Sequence, residues 1–140
     1  MPDARSEERS QEVGVLERWW EEHSELDHLV GGLEATLQAG SAARASEALE
    51  DLAAALTSHL SAEEDVYFPL LERLLPESSA AVRQARVAHR DLLGEFDRIR
   101  DQLAASDLIS AQSTLERLLW RFRDHEQREA RLIAQLRDRS

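Results

Sequence analysis

Apolar positions recur along the chain at alternating steps of three and four residues, which is the period of one face of an α-helix. No stretch of β-branched residues alternates with period two, so the sequence predicts an all-α fold. Two long amphipathic segments, at about residues 11–38 and 42–75, are followed by two more. Breaks at residues 40–41, 76–79 and 105–107 separate the four. This pattern predicts an up-down-up-down antiparallel four-helix bundle.

Each predicted helix has one apolar face, and polar residues interrupt each face near its middle. Burying such a group without a partner costs roughly several kcal/mol at the upper end of transfer estimates, so something must satisfy the buried groups together. The four faces are Leu16, Trp19, His23, Leu26, Val30, Leu33 and Leu37; Leu49, Leu52, Leu56, His59, Glu63, Val66 and Leu70; Val82, Ala85, His89, Leu92, Phe96, Ile99 and Leu103; and Ala111, Leu115, Leu118, Phe122, His125, Glu129, Leu132 and Leu136.

The interrupting residues form a repeated motif, in which a lone histidine precedes a histidine with glutamate four positions later. Four residues advance an α-helix by about 400°, so the two members of each His-x-x-x-Glu pair lie on one face. The four histidines are about one helix plus one turn apart, which places each near the middle of its own helix. The sequence therefore predicts a metal site formed by His23, His59, Glu63, His89, His125 and Glu129.

The donor set restricts the metal. Four imidazoles and two carboxylates are too many for one tetrahedral zinc ion, and oxygen-rich loops for calcium are absent. Two ions share these ligands more comfortably, and iron suits imidazole plus carboxylate, with manganese and zinc as the main competitors. His28 is predicted to face away from the site, about 140° around the helix from His23.

Other residues near the motifs have less specific roles. Tyr67, one turn beyond Glu63, is expected to face inward, either as a metal ligand or hydrogen-bond donor beside the metal, or as an ordinary buried tyrosine. Trp19 and Trp20 are expected to pack and to cover the pocket. The acidic neighbours of the two motifs, including Glu64 and Glu126, are expected to face solvent.

Composition narrows the class of protein. Asp and Glu outnumber Lys and Arg by 28 to 17, a net charge of −11 that disfavours attraction to nucleic acid or an anionic membrane. Cysteine and lysine are absent, which excludes thiolate metal sites, cysteine nucleophiles and Schiff-base chemistry. We expect a flexible segment at residues 1–10 and a single domain at residues 11–138, in a soluble, cytoplasmic monomer or weak homodimer.

From about Trp19 to Leu132 the chain resembles the hemerythrin-like (HHE cation-binding) family, four-helix bundles with a non-haem di-iron centre. The resemblance implies that His23 and His59 bind one iron, that His89 and His125 bind the other, and that Glu63 and Glu129 bridge them, together with an oxo or hydroxo bridge. It rests on residues 22–27 (EHSELD), residues 59–64 (HLSAEE) running into Phe68-Pro69, the lone His89, and residues 125–129 (HEQRE).

Two departures distinguish this chain from the oxygen-carrying hemerythrins it resembles. Those proteins have two histidines one turn apart on the third helix, whereas Ala85 and Leu93 lie four residues either side of His89. They carry an aspartate five residues after the last histidine, where this chain has Glu129 after four. A missing imidazole favours chemistry on small oxidants (hydrogen peroxide, O2 or nitric oxide species), as in a catalase or peroxidase. The alternatives are a non-enzymatic O2- or iron-binding sensor and a purely structural bundle.

Overall fold

The computed structural model describes residues 4–138, without the side chains of residues 4–13, 15–16 and 137. These residues are almost entirely helical and contain no strand, which confirms the all-α prediction. A π-helical turn, Glu63–Tyr67, and a 3-10 turn, Pro76–Ser78, interrupt the sequence of α-helices. The α-helices are α1 (Ala4–Gln38), α2 (Ala42–Ala62), α3 (Phe68–Leu74), α4 (Ser79–Ala104) and α5 (Leu108–Asp138).

The first helix starts earlier than predicted, at Ala4 instead of about residue 11. The flexibility expected of residues 1–10 stays a prediction, and residues 1–3 lie outside the described part of the chain. The side chain of Leu16, expected on the apolar face, also lies outside it. Within residues 4–138, no helix combines the length and the apolar character that crossing a membrane requires.

The helices pack as a bundle in which α1 contacts α2 and α5, while α4 contacts α2 and α5. Each bundle helix therefore has two neighbours and one buried face, as their apolar faces predict. The largest core cluster draws on all four and includes Leu33, Leu56, Phe96 and Leu118. Two smaller clusters, one around Phe68 and Val82 and one containing Trp19, Tyr67 and Ile133, lie beyond the interrupting polar residues.

Short connections set the relative placement of the helices. Gly40 has a φ of +76°, a left-handed conformation that ends α1 at little steric cost to glycine. Ser41 then caps α2 by accepting a hydrogen bond from the Arg44 amide at 3.2 Å. Before α5, Asp107 accepts a hydrogen bond from the Ser110 amide at 3.1 Å.

A π-helical turn, Glu63–Tyr67, precedes Pro69. Proline has no amide hydrogen to donate to the carbonyl four residues earlier, and just before it the Phe68 amide bonds to the carbonyl of Glu63, five residues back. The extra residue in this turn shifts the buried face, so Val66 is 45 % exposed although the sequence places it on the apolar face. Tyr67 is buried in its stead, and Leu71 takes the core position expected for Leu70.

Candidate metal centre

The six predicted ligands meet in the bundle interior, each no more than 5 % exposed. They form two overlapping groups, and within each group the candidate ligand atoms all lie within 4.8 Å of one another. His28, by contrast, is exposed and lies in neither group. The first group is His23, His59, Glu63 and Glu129, and the second is Glu63, His89, His125 and Glu129.

Glu63 and Glu129 belong to both groups, so their carboxylates lie between the two sets of histidines. Glu63 Oε1 contacts His59 Nε2, whereas Glu63 Oε2 lies 3.1 Å from His89 Nε2. Glu129 Oε1 contacts His125 Nε2 and lies 3.4 Å from His89 Nε2. The two oxygens of Glu63 thus face different histidine sets, which is the placement needed for a carboxylate that bridges two cations.

Hydrogen bonds outside the centre orient three of the histidines. The Nδ1 atom of His23 lies 2.6 Å from the carbonyl of Trp19, and that of His59 lies 2.6 Å from Glu22 Oε2. A longer contact of 3.3 Å joins His89 Nδ1 to Glu64 Oε1. Because each outer partner is an acceptor, Nδ1 carries the proton in the neutral ring and the Nε2 lone pair points inward. Ligating histidines are commonly held in this way.

Several inward-facing atoms lack a hydrogen-bond partner, which tests whether metal ions fit. The Nε2 atoms of His23 and His59 and both carboxylate oxygens of Glu63 are buried and make no hydrogen bond of acceptable geometry. In addition, the Nε2 atoms of His89 and His125 approach within 2.7 Å of one another. Orphaned buried polar atoms are rare in folded proteins, and converging lone pairs are satisfied by a cation. The residues therefore fit bound metal ions.

Protonation of the metal-free histidines follows from burial and from the carboxylates between them. Burial disfavours the charged imidazolium, and for His23 it lowers the pKa to about 4. For His59 and His125 the close carboxylates of Glu63 and Glu129 outweigh burial and raise the pKa of each ring to about 9. Metal binding at Nε2 must displace these protons.

The two shared carboxylates differ in their proton affinity. Burial would raise the pKa of Glu63, but contact with Glu129 and with three histidines holds that pKa well below its usual range. Burial and the facing carboxylate of Glu63 raise the pKa of Glu129. Without metal, the centre thus carries an ionised Glu63 between protonated neighbours, a charge arrangement that two cations would replace.

Two aromatic residues, Trp19 and Trp20, lie beside the first ligand group. Trp19 is 2 % exposed, its Nε1 donates to Glu129 Oε2 at 3.3 Å, and its ring lies 3.8 Å from that of His23. It packs as predicted and also holds a ligand candidate. Trp20 is half exposed and contacts the edge of the Trp19 ring.

Tyr67 is buried, as predicted, beside Trp19 and Ile133. Burial, the negative charge of Glu22 and a hydrogen bond to that carboxylate raise the pKa of Tyr67 to about 12. Glu22 also makes a hydrogen bond with His59 Nδ1, so this carboxylate lies between the phenol and a ligand candidate of the centre.

Three acidic residues near the centre contact its histidines, although the sequence predicts that such acids face solvent. Glu22 and Glu64 contact histidine Nδ1 atoms, and Glu126 Oε1 is buried 3.7 Å from His23 Nε2. Burial and the charge of Asp27 raise the pKa of Glu126 to about 7. Glu22, Glu64 and Glu126 each adjoin a ligand candidate in the sequence and lie at the edge of a buried helix face.

Comparison with protein families identifies the chain. Residues 1–71 match the model of the hemerythrin HHE cation binding domain. The matched part contains His23, His59 and Glu63, and the remaining ligand candidates follow it in the chain. No match is found among curated proteins or among solved structures. Because the match spans half of the chain and the two ligand groups agree with it, the chain belongs to the hemerythrin HHE cation-binding domain family.

Proposed function

We propose that the protein holds two non-haem iron ions between its four helices and uses them to bind and turn over a small oxidant such as hydrogen peroxide, O2 or nitric oxide species. The observation that carries this proposal is the sharing of Glu63 and Glu129 by both ligand groups. Imidazole with carboxylate is a donor set that suits iron, with manganese and zinc as competitors.

Each residue has a role that its contacts support. His23 and His59 hold one ion, His89 and His125 hold the other, and Glu63 and Glu129 join them. The carbonyl of Trp19 and the carboxylates of Glu22 and Glu64 keep the Nδ1 protons outside, so that each Nε2 faces a metal. When bound, a pair of irons supplies reversible electron transfer to an oxidant.

Two buried groups are placed to handle protons near the first ligand group. Glu126, with its raised pKa, lies against His23 and can hold a proton at Oε1 near neutral pH. Tyr67 keeps its phenolic proton, because burial and the nearby Glu22 carboxylate raise its pKa to about 12. We assign Tyr67 a positioning role through Glu22 in preference to direct metal ligation.

Metal content and the ultraviolet-visible spectrum of protein purified from iron-supplemented cells test the proposal. About two irons per chain, with the absorption of an oxo- or hydroxo-bridged pair and oxygen release on adding peroxide, would support a catalase-like enzyme. Two irons with a lasting oxygen adduct and no turnover would favour the binding or sensing alternative. A folded protein that takes up no metal would refute the proposal.

Other features of the proposal follow from the sequence and from the short connections. Three-residue links between α1 and α2 and between α4 and α5 favour antiparallel neighbours, and hence the up-down-up-down order. The net charge of −11 supports a small-molecule partner over nucleic acid or a membrane. The many exposed charged residues on the helices favour a monomer or weak homodimer, which we place in the cytoplasm as part of the proposal.

A further inference from the structure

A cavity of about 470 Å³ lies between α4 and α5 and reaches His125 and Glu129 of the second ligand group. Pockets for organic ligands commonly have volumes of about 300–1,000 Å³, whereas one water occupies about 30 Å³ of the liquid. The cavity is thus larger than peroxide or O2 requires, and it has room for a second, bulkier ligand.

The α4 wall of the cavity is formed by small apolar side chains. Ala81, Ala85 and Ala88 line it at helical spacing, and Leu92 and Leu132 continue the apolar surface toward the interior. Ala85 lies one turn before His89, so this surface ends beside the second ligand group. Gln84 and Asp91 add polar atoms to the α4 wall, while its alanine and leucine surface accepts a hydrocarbon body.

The polar part of the lining contains charges of both signs. It has three arginines, Arg121, Arg128 and Arg131, and three acidic residues, Asp91, Asp124 and Glu129. Arg128 pairs with Asp124 at 3.2 Å.

Arg121 pairs with Glu95, also at 3.2 Å. Arg131, by contrast, has no ion pair within the described part of the chain. Its planar guanidinium is suited to a carboxylate.

We propose that this cavity binds an organic monocarboxylate with an apolar body of several carbons. Its carboxylate pairs with the guanidinium of Arg131. Its hydrocarbon packs against the alanines of the α4 wall and extends toward Glu129. The binding itself needs no metal, but its role as substrate or effector of the centre rests on the proposed function.

Titration calorimetry with sodium octanoate tests this inference on the protein as purified, with metal content measured on the same sample. Octanoate should bind at one site per chain, at least tenfold more tightly than either acetate or 1-octanol. Arg131→Gln should weaken octanoate binding about tenfold, whereas Arg123→Gln, an exposed change on the same helix that lies off the cavity, should leave it unchanged.

A second variant addresses the apolar wall. Ala88→Leu adds three carbons to the cavity and should weaken octanoate binding at least tenfold, while Ala80→Leu on the exposed side of α4 should not. Neither variant alters a ligand candidate, so circular dichroism and metal content should match the parent. Equal binding of octanoate and 1-octanol, or undiminished binding in Ala88→Leu, would overturn the inference. A two-iron protein that binds no octanoate would overturn it alone, whereas octanoate binding without iron would overturn only the proposed function.

Discussion

Replacing Glu63 by glutamine removes the charge that both ligand groups share and keeps the size of the side chain. Glu63 is 1 % exposed, and each of its oxygens faces a different histidine. An amide offers one weak donor oxygen instead of two anionic ones, so it cannot join two cations. We therefore expect Glu63→Gln to lose at least one of the two irons and to weaken the other.

The expected effect of iron on Tm follows from the linkage between metal binding and folding. A metal present at 100 times its dissociation constant stabilises the folded state by about 2.7 kcal/mol, so two sites contribute about 5 kcal/mol. For a domain of this size, 1 kcal/mol corresponds to roughly 3 °C in Tm, which gives a shift of about 15 °C on iron loading. In Glu63→Gln that shift should fall below about 5 °C. The metal-free variant also loses the anion facing His59 and His125, a buried-pair loss that costs at most about 3–5 kcal/mol.

The assay compares thermal unfolding with and without iron for the parent, for Glu63→Gln and for Asp65→Asn. Asp65 is an exposed carboxylate in the same π-helical turn, so its amide variant controls for the chemical change alone. The decisive quantity is the iron-induced shift in Tm, because it cancels any effect of the mutation on the metal-free fold. If Glu63→Gln keeps two irons and the full shift, the bridging role is wrong.

Three further predictions follow from the surroundings of the centre. Since the folded pKa of both His59 and His125 is raised to about 9, their stabilising contribution is complete below pH 6.5 and is lost as pH rises through 9; denaturant unfolding of the metal-free protein should show a fall of a few kcal/mol between pH 7 and pH 9. Trp19→Phe removes the indole donor to Glu129 but keeps a ring, and should weaken iron binding about tenfold in a chelator competition. Glu126→Gln removes a carboxyl whose folded pKa is raised, so it should stabilise the metal-free protein at pH 8 by about 1–2 kcal/mol and have no such effect at pH 4.

The apolar periodicity was sufficient to predict helix faces wherever the helix is regular. On α4, every predicted face residue from Val82 to Leu103 is buried, as are those on α5 from Ala111 to Glu129. The ligand candidates were found by the same rule, since a polar residue on a buried face needs a partner. Their burial and proximity agree with the prediction, while their metal roles stay predictions.

The sequence could not reveal features that depend on hydrogen bonding between helices. Nothing in a heptad pattern indicates that the backbone takes on one extra residue at Glu63–Tyr67, and Val66 was misplaced for that reason. Glu22 and Glu126 lie beside the buried faces, where pattern alone cannot distinguish an acid that points to solvent from one that points to a neighbouring helix.

The π-helical turn holds one residue more than a regular α-helix would need between Glu63 and the core residues beyond it. Deleting Asp65 would return the segment to ordinary α geometry, and Tyr67 and Leu71 would then lie three and seven positions after Glu63, where a regular helix keeps residues on the buried face. A deletion in a regular turn of α2 would instead rotate every side chain beyond it by about 100°. This segment can therefore lose one codon and still present the same side chains to the metal centre.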